Sequence, residues 1–120
     1  MPREQGDESY LWDMLQAARL VVTFVRGVTL DEYCDNQMLR MAVERALEIL
    51  GEAANRVSGN YRSAHGEIPW RQIIAQRNVL VHEYGEVDDE RIWNLVVHQV
   101  PVLYELLTRL VPEAPEDKKQ

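Results

Sequence analysis

The sequence predicts an all-α fold, an antiparallel bundle of four to five helices forming a single domain over residues 1–120. Three observations carry that prediction. Apolar residues recur at three- and four-residue spacing over long stretches, no segment alternates apolar and polar residues as a half-buried strand does, and helix-starting and helix-stopping residues fall between the periodic stretches. A chain of 120 residues suits one hydrophobic core, and neither an internal repeat nor a low-complexity tract divides it.

The first helix is read from Leu11, Met14, Leu15, Ala18, Val21, Val22 and Val25, with Asp7 or Ser9 placed to cap it and Gly27 to end it. Thr29 and Glu32 then have the spacing of a capping box, which predicts a short helical turn leading into Asp35 and Asn36. A second long helix follows on the stripe Leu39, Ala42, Val43, Ala46, Leu47, Leu50, Ala53, Ala54 and Val57, until Ser58-Gly59-Asn60 breaks the pattern. Residues 60–68 read as a loop, and Pro69 is placed at the first position of a third helix beginning near Trp70. The last helix starts at Asp88, Asp89 and Glu90, runs along Ile92, Leu95, Val96, Leu103, Leu106 and Leu110, and is expected to kink at Pro101. Residues 113–120 read as a polar, frayed tail.

Composition narrows the classes of function. With 13 basic and 20 acidic residues the formal net charge is −7, which argues against sequence-blind capture of nucleic acid or anionic lipid. Every basic residue before the C-terminal pair Lys118 and Lys119 is Arg, the side chain whose rigid fork suits carboxylate or phosphate. A single Cys34, read as a buried or inert thiol, excludes an intramolecular disulfide and a cysteine-cluster metal site. No cofactor and no metal are expected, because no Glu-x-x-His pair accompanies the glutamate-rich second helix and neither His65 nor His98 has ligand-like neighbours. The polar N-terminal residues and the lack of a membrane-length apolar run predict a cytoplasmic chain with no membrane attachment.

Polar chemistry concentrates in Arg77-Asn78-Val79-Leu80-Val81-His82-Glu83-Tyr84. On an ideal helix with Arg77 at zero, Trp70, Ile73, Ile74, Leu80, Val81 and Tyr84 all fall within about 60° of it, so the guanidinium is centred on the apolar face. Such a cation needs an anion or an opening, since burying it unpaired costs several kcal/mol. The internal candidates are Glu44, Glu48 and Glu52, and the external one is a phosphate at a cleft or dimer seam. Glu52 is placed equally well to pair with Arg56 or to help hold Arg77. His82 lies at about 140°, beside Asn78 at about 100°, so an undistorted helix separates it from Arg77. Either the helix bends at the motif or the two groups meet across a two-fold axis. Cleaving RNA without a metal needs a base for the 2′-hydroxyl, an acid for the leaving oxygen and cations for the phosphorane, and a dimer supplies two His82 and two Arg77.

Arg77, Asn78, His82 and Tyr84 resemble the R-x-x-x-x-H-x-Y signature of HEPN-domain toxins, specifically the HepT-like subfamily. The resemblance extends over about residues 8–111, through Ile49-Leu50-Gly51-Glu52-Ala53-Ala54, Ile68-Pro69-Trp70, Val87-Asp88 and Val100-Pro101. It implies a homodimer with the motif at its interface, acting on RNA as a metal-independent endoribonuclease. It also implies the toxin half of a toxin-antitoxin module whose partner is a minimal nucleotidyltransferase (MNT) antitoxin. By position, Arg77 and His82 are then catalytic, Asn78 orients the site, and Tyr84 is the hydroxyl that receives AMP units. Phosphates added beside a cationic pocket would block RNA and offset the arginine charge.

A different class of function stays open from the residues alone, a non-catalytic nucleotide-binding or antitoxin-docking helical module. A third is a purely structural dimer with Arg77 in an internal ion pair. The acids Glu83, Glu86, Asp88, Asp89 and Glu90 would repel RNA unless they cap the last helix or meet the antitoxin.

Overall fold

The structure, a computed structural model, describes residues 6–119 and is helical throughout, with no strand among those residues. Segment 1–5 and residue 120 of the expected tail lie outside the described residues. Among the described residues seven α-helices follow in order: α1 (Asp7–Val25), α2 (Leu30–Asp35), α3 (Gln37–Arg56), α4 (Gly59–Ala64), α5 (Trp70–His82), α6 (Asp89–His98) and α7 (Val100–Leu110). The five longer ones, α1, α3, α5, α6 and α7, are the expected bundle. Helix α1 packs against α3 and α7, and α3 packs against α5 on its other side. The core they enclose is built on Leu11, Met14, Val21, Val43, Leu47, Leu50, Leu80, Val96 and Leu107. At about 25 cal/mol per Å² of apolar surface, this burial is the main favourable term holding the helices together.

Several helix ends form as their residues dictate. Thr29 and Glu32 make the expected capping box, with both reciprocal hydrogen bonds present at 3.0 and 3.2 Å. Gly27 takes a φ of 75°, a left-handed conformation that costs glycine nothing, and so ends α1. Asn36 caps α3 by accepting from the Leu39 N–H.

Other ends depart from the sequence reading, each for a tertiary reason. Neither Asp7 nor Ser9 caps α1, which begins at Gly6 without a side-chain cap. Asp7 instead accepts from the N–H and hydroxyl of Ser58, tying the start of α1 to the start of α4, and Ser9 donates to Asp117. The stretch 60–68 is not all loop, because Ser58 caps the six-residue α4 by accepting from the Tyr61 N–H. Pro69 sits one place earlier than expected, as the N-cap of α5. The final helix does not kink at Pro101 but divides at Gln99 into α6 and α7. Proline has no N–H to offer Val97 one turn back, whereas in the first turn of a new helix that donor is not required. The tail is not frayed over its described length: a 3₁₀ turn at Glu116–Lys118 docks on α1 through Ser9–Asp117 and Lys118–Asp13 (3.1 Å). Cys34 is exposed rather than buried, and desolvation together with Asp89 pushes its thiol above the ordinary value.

Candidate active site at the α3–α5 contact

Helices α3 and α5 meet at Gly51. A Cβ at that position would overlap the Arg77 Cβ and stand 2.8 Å from its Cγ and 3.1 Å from the Ile73 carbonyl oxygen. The missing side chain is therefore what lets the aliphatic stem of Arg77 lie on α3. This resolves the conflict of a guanidinium on an apolar face: the stem is packed and the head emerges, leaving the side chain 27% exposed. Of the three glutamates considered for it, only Glu52 approaches, with Arg77 Nη2 3.9 Å from its Oε1. That is beyond hydrogen-bond range. Glu52 stands 4.0 Å from Arg45 as well, and no ion pair joins it to Arg56. Arg77 Nη1 donates to Asn78 Oδ1 at 3.1 Å, while its Nε is buried with no hydrogen-bond partner.

His82 is the last residue of α5 and is exposed, with no hydrogen bond or ion pair among the described residues. Helix α5 is uninterrupted from Trp70 to His82, so the chain does not unwind between Arg77 and His82. No hydrogen bond links the two side chains, and within one protomer they diverge as the helical wheel requires.

Tyr84 lies outside α5, not on the azimuth of Arg77 as an uninterrupted helix would place it. The chain leaves the helix at Glu83, at φ −132° and ψ 45°, and Tyr84 opens a 3₁₀ turn through Glu86. The residue is 58% exposed, yet its hydroxyl donates to Glu44 Oε1 at 2.8 Å. Glu44 is one of two buried polar residues among those described, at 5% exposure. Burial pushes its carboxyl above the ordinary carboxylate range, against the pull of the Tyr84 hydrogen bond. That bond, and then the Glu44 charge, raise the Tyr84 phenol in turn. Beside them Tyr33 is fully buried with an unpartnered hydroxyl, and burial first, then Glu44 and Asp89, push its phenol well up.

Glu44 and Gly51 are the two site residues whose roles sequence reasoning missed. They stand seven positions apart on α3 and so share the face that meets α5 and its outgoing turn. A glutamate and a glycine on an otherwise apolar stripe were the available signal. Among the acids after the motif, Asp88 caps α6 by accepting from Glu90 and Arg91, and Asp89 pairs with Arg40 at 3.5 Å. Among the described residues no three of His, Cys, Asp and Glu lie close enough to hold a metal ion, and no helix is long and apolar enough to cross a membrane.

A helical chain whose Arg-x-x-x-x-His-x-Tyr segment runs from α5 into the turn after it, with the tyrosine moored to α3, defines the class in which relatives were found. The family described as Ribonuclease HepT-like matches residues 14–110. A protein of Methanocaldococcus jannaschii named as a candidate RNase is 35% identical over 94 residues, covering 78% of this chain and 86% of that protein. A candidate ribonuclease HepT of Thermococcus cleftensis is 33% identical over 100 residues, 83% of this chain and 91% of its own length. A candidate RNase of Caldanaerobacter subterraneus subsp. tengcongensis is 32% identical over 94 residues, 78% and 84% of the two chains. No solved structure matches the chain. The chain belongs to the ribonuclease HepT-like family, a HEPN-type helical bundle.

Proposed function

We propose that this chain is a metal-independent endoribonuclease whose active site is completed by a second copy of itself. The observation that carries the reading is the state of Arg77: a partly exposed guanidinium whose Nη2 stands 3.9 Å from Glu52, beyond hydrogen-bond range, is available to an incoming phosphate. Asn78 orients it through the 3.1 Å hydrogen bond, and Glu52 supports it without neutralising it at close range. His82 is exposed and unengaged, so it is free to carry protons. One chain keeps Arg77 and His82 apart, and two chains related by a two-fold axis supply two of each around one phosphate. One His82 takes the 2′-hydroxyl proton as that oxygen attacks phosphorus, the other protonates the departing 5′-oxygen, and the Arg77 pair stabilises the phosphorane. The products are a 2′,3′-cyclic phosphate and a 5′-hydroxyl.

In this reading the protein is the toxin of a toxin-antitoxin module, and a minimal nucleotidyltransferase attaches AMP to Tyr84. The exposure of the residue supports that role. Modification turns the hydroxyl that now donates to Glu44 into a phosphodiester that has no proton to donate and carries a charge of the same sign. The test is RNA cleavage by purified protein in EDTA, followed by Arg77→Ala, His82→Ala and a mixed dimer of the two. Loss of activity in both variants and in the mixed dimer, whose shared site keeps only one His82 and one Arg77, is the expected result. Intact RNA with the wild-type protein, or equal activity in all variants, overturns the catalytic reading. An unchanged mass at Tyr84 after incubation with the nucleotidyltransferase and ATP overturns the regulatory one.

A further inference from the structure

An open groove of about 960 Å³ runs from α4 across the first turns of α5 to Asn78, next to Arg77. Its walls carry Arg62, Arg71, Asn55, Ser63 and Asn78 and not one carboxylate, in a chain with 20 acidic residues. Neither Arg62 nor Arg71 has an ion-pair partner among the described residues, and Arg62 Nε is buried with no hydrogen bond. The carboxylates that flank the groove in sequence are already occupied, Glu52 by Arg45 and Arg77 and Glu67 by His65 at 3.1 Å. At the inner end Asn78 accepts from Arg77 through Oδ1, which leaves its amide N–H₂ facing other partners. From Arg71 to Asn78 the floor follows about 10 Å of helix axis.

The opposite flank of α5 has the reverse character. There a groove shares Gln72 and Ala75 with the first but is bordered by Glu86, Asp88 and Glu90 against a single Arg91. A polyanion approaching the motif is repelled along one side of α5 and meets unpaired guanidinia along the other.

We propose that the acid-free groove carries the single-stranded RNA flanking the cleaved phosphate, with Arg62 and Arg71 on backbone phosphates and the amides and hydroxyl of Asn55, Ser63 and Asn78 on phosphate or ribose oxygens. The assignment rests on the ribonuclease reading for its substrate and extends the site beyond one phosphate. Phosphate contacts of this kind position a strand without reading its sequence.

The test uses the full chain and a fluorescent single-stranded 12-mer made non-cleavable by 2′-O-methylation, titrated over a KCl series, alongside cleavage of an unmodified 12-mer and of a dinucleotide. For Arg62→Gln with Arg71→Gln, the slope of log K against log salt should fall by about 1.4 and affinity at moderate salt by roughly tenfold, as expected for two lost phosphate contacts. Dinucleotide kcat/KM should stay within about twofold, and Arg91→Gln should leave the slope unchanged. An unchanged slope in the double variant, an equal loss with Arg91→Gln, or an equal loss on the dinucleotide overturns the groove. If the wild type binds the 12-mer but cleaves nothing, the ribonuclease reading fails while the salt slope still decides the groove. If it binds no RNA, both fail.

Discussion

Helix α3 holds two motif residues through two carboxylates eight positions apart, and it holds them in opposite ways. Glu44 is buried and accepts the Tyr84 hydroxyl at 2.8 Å, whereas Glu52 is partly exposed and stands 3.9 Å from Arg77. A unit-charge pair near 4 Å is worth on the order of 1 kcal/mol in water, and exposed pairs measure about 0–1 kcal/mol net. A buried carboxylate left without its donor loses more, about 1–3 kcal/mol or above. One contact therefore fixes a side chain, and the other only biases it. The fixed residue is the proposed target of modification, and the biased one is the proposed phosphate ligand.

The largest expected effect lies on the loosely held side. Arg77→Ala should lower kcat for RNA cleavage by about 10²–10³-fold, the scale of losing a preorganised donor to a developing oxyanion. Because the Glu52 contact is weak, the melting temperature should fall by no more than the lost packing of the Arg77 stem on α3 accounts for, and Arg77→Met, which keeps most of that stem, should melt close to wild type while staying inactive. A large fall in stability with modest loss of rate would make Arg77 a structural ion pair instead, and the two carboxylates would then be doing the same job.

Next in size is Gly51, on which the contrast is built. Alanine is intrinsically better than glycine in a helix by about 0.5–1 kcal/mol, so a neutral site would gain stability. Here the added methyl meets Arg77 and the Ile73 carbonyl, and overpacking of this kind costs about 1–3 kcal/mol. Gly51→Ala should be destabilising by roughly 1–2 kcal/mol in a denaturant titration and should lower cleavage together with stability. A stabilised variant would mean that α5 does not rest on α3 at this point.

The tightly held side gives a smaller and pH-dependent effect. Burial raises the folded-state pKa of Glu44, so the folded chain binds its proton more tightly than the unfolded chain. Stability from this group is full below the ordinary carboxyl pKa and is lost as pH rises through the raised value. Glu44→Gln removes that slope. Its stability relative to wild type should therefore improve steadily from acid to neutral pH in paired melts. The Tyr84 phenol, raised by Glu44, should drop back toward its ordinary pKa in the variant, read by ¹³C NMR of labelled tyrosine. A Tyr84 titration that ignores the substitution would mean that the hydrogen bond does not persist in solution.

How far the sequence alone could reach follows from which forces are local. The apolar stripes of α1 and α3, the Thr29 capping box and the Gly27 stop depend on neighbours in sequence, and they formed as read. Arg77 was legible as a problem, a cation on an apolar face, because its neighbours on the wheel are local too. Its solution was not, since that depends on a glycine 26 positions earlier in the chain. By position Glu44 is a candidate partner for Arg77, but the helix ends at His82, and the turn that follows brings Tyr84 to it instead. Asp7, Ser9 and the tail went the same way: each polar side chain found a partner distant in sequence that a local rule does not contain.

The smallest effect is the most direct probe of the contrast. If Glu52 only biases Arg77, then Glu52→Gln keeps the shape of the contact, removes a charge that competes with phosphate, and changes stability by less than about 0.5 kcal/mol. Cleavage should then rise slightly or hold, within about threefold, and mainly through a lower KM, because the competition is electrostatic and is felt by substrate binding. The gain should shrink at high salt. A fall in kcat of tenfold or more at unchanged KM would place Glu52 in the chemical step, where it orients the guanidinium against the transition state. Its 3.9 Å distance would then describe a pair that tightens only when RNA is bound, and the difference between the two carboxylates of α3 would belong to the free protein alone.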